Sequence, residues 1–207
     1  MKRSSQVGRN LLVWLHIVAS VGWMSQALVL LTLMVFAMSN RVWHDAAVHF
    51  ARLLDKQLLA VLANASAFTG FMLSALTMWG YFRYWWVLAK ASISVVQLTI
   101  GVFFLDPDAT PLSMGAAALM ASALGLQAWM SVAKPWKRTP WSDARRLPPA
   151  PQWMFAACIA VVVADLVLGL RLGFPSPLFE LIVVIAYPVW RSRRLRQESA
   201  GVVSRVS

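Results

Sequence analysis

Residues 11–38 read LLVWLHIVASVGWMSQALVLLTLMVFAM. The run holds no Asp, Glu, Lys or Arg, and its one ionisable side chain is His16. A helix needs about 20 consecutive apolar residues to cross the hydrocarbon core of a bilayer. The run exceeds that length. It also exceeds the apolar core of a cleaved secretory signal, about 7–15 residues, and no convincing cleavage site accompanies it. It predicts a first membrane helix, entered from the basic segment Lys2, Arg3 and Arg9.

Four further runs have the same character: Gln57–Trp79, Tyr84–Leu105, Pro111–Ala133 and Gln152–Leu172. A sixth, Pro177–Trp190, is short: it either spans where the bilayer is locally thin or lies in the interface, and the charge pattern favours spanning. Composition agrees. The 207 residues are 59% hydrophobic and 13% charged, against about 45–50% and about 25% in ordinary soluble domains. So much apolar surface needs lipid as its solvent. The reading is an all-α fold, a polytopic transmembrane bundle of six helices.

Basic residues set the expected orientation. Fourteen Lys and Arg fall at the N-terminus, in the second and fourth loops and in the tail; Arg41, Arg52 and Lys56, in the first loop, face the other way. Positively charged loops stay in the cytoplasm. Six spans with both termini cytoplasmic satisfy that rule, whereas five would export a tail with Arg191, Arg193, Arg194, Arg196 and Arg205. The expected location is a bacterial inner (plasma) membrane, with the basic loops against anionic lipid.

Residues 1–133 form the expected four-helix core. Within it, Trp43, Ala47, Phe50 and Leu54 recur at helical spacing, which predicts an outer amphipathic segment near 43–56. Residues 134–151 carry five prolines and read as a stiff, basic cytoplasmic linker. Residues 152–190 form a two-helix appendage and 191–207 a basic tail. Ala117, Ala121, Gly125 and Ala128 make a small-residue seam for close helix contact, within the chain or with a homo-oligomer or membrane-complex partner.

The net charge of +11 is dispersed between apolar runs, with no basic stripe interleaved with stacking aromatics, so nucleic acid is not an expected partner. The single cysteine, Cys158, excludes an internal disulfide. No phosphate-binding loop, zinc helix motif or nucleophile elbow is present. A copper path would want clustered Met and His, and the ten Met are scattered.

Ionisable groups at membrane depth are costly and mark candidate sites. His16, Lys90, Asp165 and Arg171 qualify; Arg171 and Glu180 are read near the outer end, within reach of water. His16 and Lys90 each lie about 8–9 Å inside the cytoplasmic boundary at about 1.5 Å per residue, as does Gln127. Three polar side chains on three helices at one depth predict a pocket on the cytoplasmic half. Lys90, Ser94, Gln97 and Gly101 make a polar stripe on one helix face. Ser66 and Thr69 belong to a weakly polar face that reads as inter-helix glue. Asp165 is expected to face protein, as relay or hydrogen-bonding group.

The segment Leu15-His16-Ile17-Val18-Ala19-Ser20-Val21-Gly22-Trp23-Met24 resembles the first helix of the HemJ-type protoporphyrinogen oxidases. Tyr84-Trp85-Trp86-Val87-Leu88-Ala89-Lys90 is similar to that family's W-x-x-x-K stretch. The copper-resistance protein D family has a similar first-helix segment. Residues 10–141 as a whole resemble an uncharacterised bacterial membrane family with a four-helix core. The HemJ likeness implies a heme b bundle, with His16 as metal ligand and Lys90 as functional, catalytic cation; Gln127 joins them as cofactor-binding by its depth. No second histidine occupies the positions that family uses. The function this favours is heme-binding or redox-linked; a small-molecule or copper transporter and an accessory subunit are the alternatives.

Overall fold

The computed structural model describes residues 2–103, 105, 108–142 and 150–203. The described residues are helical throughout, apart from connections. α1 (Lys2–Ser39) is followed by α2 (His44–Leu54), α3 (Ala60–Leu76), α4 (Trp85–Phe103), α5 (Pro111–Ala133), α6 (Gln152–Leu172) and α7 (Leu178–Val203). A π-helical turn, Asp55–Leu59, joins α2 and α3 without a break. Counting α2 and α3 as one, six helices result. Five of them are long and apolar enough to cross a membrane; α7 is outside that group.

The ends follow local chemistry. α5 starts at Thr110, whose side chain accepts from the Ser113 backbone while Ser113 reciprocates, with Pro111 in the first turn. α6 stops at Gly173, in the left-handed conformation at φ 76° that glycine adopts without penalty.

α1 is the central strut. Leu12, Ala19, Trp23, Ala27, Leu30, Met34 and Ala37 form its buried stripe, at steps of three, four and seven. Trp14, Ile17, Val21, Leu28 and Val35 stay exposed on other faces. In lipid such surface costs nothing, since acyl chains are as apolar as leucine. α1 packs against α3 and α5, and α4 bridges those two, so the four helices form a ring. α1 and α4 are diagonal in it and make no close backbone approach among the described residues.

Two cores fill the bundle. At one end Trp23 to Ala37 of α1 meets Ala47 and Ala51 of α2 and Ala116 to Leu124 of α5. The amphipathic segment is thus helical, but its buried face is Ala47 and Ala51; Trp43 and Phe50 are exposed. Alanine permits the close approach to α1 that bulky rings would block. At the other end Leu12 meets Phe68 and Met72 of α3, Phe155 and Cys158 of α6 and Tyr187 of α7. The C-terminal pair therefore shares a core with α1 and α3. α7 also runs beyond the Trp190 boundary read from hydropathy, passing Pro188 within the helix.

The α3–α4 connection and residues 134–142 are stitched together. Tyr84 and Arg138 form an antiparallel bridge, Thr139 N–H donates to Arg83 O, and Thr139 Oγ1 donates to Phe82 O. The first half of the expected linker is thus non-helical and held against the bundle; residues 143–149 lie outside the described residues.

Candidate functional site

His16 is held in the α1–α3 seam. Its Nδ1 lies 3.0 Å from Ser66 O and 3.0 Å from Thr69 Oγ1. A carbonyl oxygen only accepts, so Nδ1 must carry the proton. The Thr69 hydroxyl is committed as donor to Ala65 O at 2.6 Å, which leaves its lone pairs for His16. In the neutral ring this selects the Nδ1–H tautomer, which leaves the lone pair on Nε2. Nε2 has no hydrogen-bond partner among the described residues. One turn on, the Ser20 and Ser66 hydroxyls bond at 2.7 Å. Gly70 makes the seam close enough. A Cβ built there would stand 2.9 Å from His16 Cε1.

Lys90 and Gln127 belong to a second polar seam, between α4 and α5. Lys90 Nζ donates to Ser131 Oγ at 2.5 Å, and Ser131 Oγ donates to Gln127 O at 2.9 Å. Gln127 Nε2 donates to Gln97 Oε1 at 2.5 Å, and Ser94 Oγ donates to Gln127 Oε1 at 3.1 Å. Gln97 Nε2 donates in turn to Met120 O at 2.9 Å. The stripe read on the sequence thus faces α5 along its length, since Gly101 lies beside Met120 as well.

Of the three expected pocket residues, Lys90 and Gln127 are linked through Ser131. His16 sits on the diagonal helix, bonded to α3. Between the two seams, deeper in the ring, Trp23 is fully buried and its indole N–H points at Met120 Sδ, 3.2 Å away.

Asp165 faces protein. It is buried, and its two oxygens accept from Phe179 N and Glu180 N at 3.1 and 2.8 Å. This caps α7 from a neighbouring helix, satisfying N–H groups that a helix start leaves open. Glu180, read as reaching water, is instead buried, because this clasp turns the first turn of α7 inward. Arg171 is exposed.

Ser66, Thr69 and Ser131 escaped the sequence reading as site partners, since Ser and Thr are ordinary inter-helix glue. Arg83, in the second loop, is one of the fourteen cations that set the expected orientation. It is buried, with Nη1 donating to Met78 O at 3.4 Å and Nε and Nη2 unpartnered. Two residues earlier in the chain, the Tyr81 hydroxyl is also buried without a partner, and burial pushes that phenol further above its ordinary range, keeping it neutral.

Fold and seams define a class: an all-α bundle with five helices of membrane-crossing length and polar groups bonded within its ring. No protein-family model, curated protein or solved structure matches the chain.

Proposed function

We propose that the chain is a multi-pass inner-membrane protein with both termini cytoplasmic, and that its helix ring binds heme b in a redox-linked role. The observation that carries the proposal is the state of His16. Metal-ligating imidazoles donate their second ring N–H to a carbonyl or carboxylate, which fixes the tautomer and raises basicity. His16 Nδ1 meets Ser66 O in that way, and Nε2 is open. The donor set therefore fits one axial bond. The resemblance of residues 15–24 to the HemJ-type first helix points the same way.

Bound heme would supply one-electron chemistry. His16 would hold the iron. Lys90, anchored on Ser131, would neutralise a propionate, and Gln127 would position Ser131 and the α4 stripe.

An optical spectrum of the detergent-purified chain, expressed with ample heme, tests the reading. A Soret band that His16→Ala abolishes or shifts is the expected result. Lys90→Met should leave the band in place while heme is lost faster. A colourless wild-type protein overturns the proposal.

A further inference from the structure

At the end of the bundle where α3 begins, a cleft opens between α3, α6 and the α6–α7 connection. Its polar lining is Lys56, Gln57, Asn64, Asp165, Ser176 and Glu180, and much of the rest is apolar. Its floor depends on Gly169. The connection folds back there, so that a Cβ at 169 would lie 3.3 Å from Phe174 O. Larger side chains would push the loop off α6 and open the wall.

Glu180 is the anomaly. Its residue surface is only 5% exposed, yet its carboxylate makes no hydrogen bond or ion pair among the described residues. The side chain lines the cleft. Asp165 is accounted for, since both its oxygens take α7 N–H groups. Lys56 stands at the same cleft but is exposed and forms no ion pair with either acid. A buried carboxylate without a counter-charge is strongly unfavourable. Such a carboxylate takes up either a proton or a cation, and an ammonium held in the cleft would supply the latter.

The lining selects the kind of cation. A divalent metal ion asks for six or more oxygen ligands, or a cluster of His, Cys and carboxylates. Among the described residues no such cluster of three exists. One open carboxylate, a nearby amide and hydroxyl, and walls such as Leu166 and Leu170 suit an ammonium with an apolar body. We propose that this cleft binds a small organic ammonium, with Glu180 as counter-ion and Asn64 and Ser176 as orienting groups. A free alkylamine and an aminophospholipid head group share this chemistry. The site is independent of His16 and of any heme.

The test uses the full chain in nanodiscs of phosphatidylglycerol, titrated calorimetrically with n-butylammonium. Saturable binding at one per chain is expected, weakened about tenfold or more by Glu180→Gln, as for loss of a hydrogen bond to a charged partner. Lys56→Gln should bind as well as wild type or better. If Glu180→Gln fails to fold, Glu180→Asp, which withdraws the charge by one methylene, should show the same direction of loss. Adding phosphatidylethanolamine identifies the source: competition in wild type marks the lipid head group, and unaltered binding marks the soluble amine. No saturable binding to wild type, equal affinity in the folded Glu180 variant, or loss of binding with Lys56→Gln overturns the proposal.

Discussion

Position 165 shows how a carboxylate is kept inside an apolar helix. Its charge is spread over two backbone N–H groups at the positive end of α7, so removing it exposes those donors. Asp165→Ala should lower stability by about 1–2 kcal/mol, the usual range for a lost cap. Thermal unfolding in detergent checks this, and an unchanged midpoint would show the clasp to be idle. His16 raises the opposite issue, a ring positioned by lack of bulk nearby. Gly70→Val places atoms where Cε1 now lies. The ring must leave Ser66 O, and the variant should be destabilised by about 1–3 kcal/mol, the cost of overpacking. If His16 ligates heme, the same variant should lose the Soret band while Gly125→Ala, at a position open within 4 Å, keeps it.

Among elements, α4 relies most on polar bonds. Only Val87 and Gln97 are buried on it, while Lys90, Ser94 and Gln97 all bond to α5. In lipid, association has no hydrophobic drive, so side-chain bonds and close packing set the pairing. A double-mutant cycle of Gln97→Leu and Gln127→Leu should give a coupling of about 0.6–1.7 kcal/mol, the span seen for inter-helix hydrogen bonds in membranes. Additive effects would mean the two amides act separately. The α5 start is a simpler case. Thr110→Ala removes one half of the reciprocal cap and should cost about 1 kcal/mol, read from the unfolding midpoint.

In the whole molecule α7 stands apart from the five helices that are long and apolar enough to cross a membrane. The proposed topology, with both termini cytoplasmic, has it cross. A reporter enzyme fused after Ser207 should be active only on the cytoplasmic side; activity outside would place α7 along the surface. The structure ties α7 to α6 and α3 whichever side its tail takes. Removing residues after 142 should therefore expose Leu12, Phe68 and Met72, which share a core with Phe155 and Tyr187. The truncated chain should aggregate in mild detergent, checked by size exclusion, whereas an independent four-helix core would stay monodisperse.

Helix number and most boundaries were legible in the chain, because lipid imposes a length and an apolarity on each span. Pro111–Ala133 and Gln152–Leu172 match to the residue, since Pro, Gly and capping side chains mark their ends. Rotation and neighbourhood were not legible. Nothing local says that α1 and α4 are diagonal, that His16 turns to Ser66 while Lys90 turns to Ser131, or that Ala47 and Ala51 of α2 outrank Trp43 and Phe50 for burial. In an apolar helix every face is nearly equal to lipid, so hydropathy carries little rotational signal. Tertiary packing decides it, through small residues that let backbones approach and through the partners each buried polar group needs. Glu180 is the sharpest instance: its sequence position suggested water, and the clasp of Asp165 on α7 placed it inside.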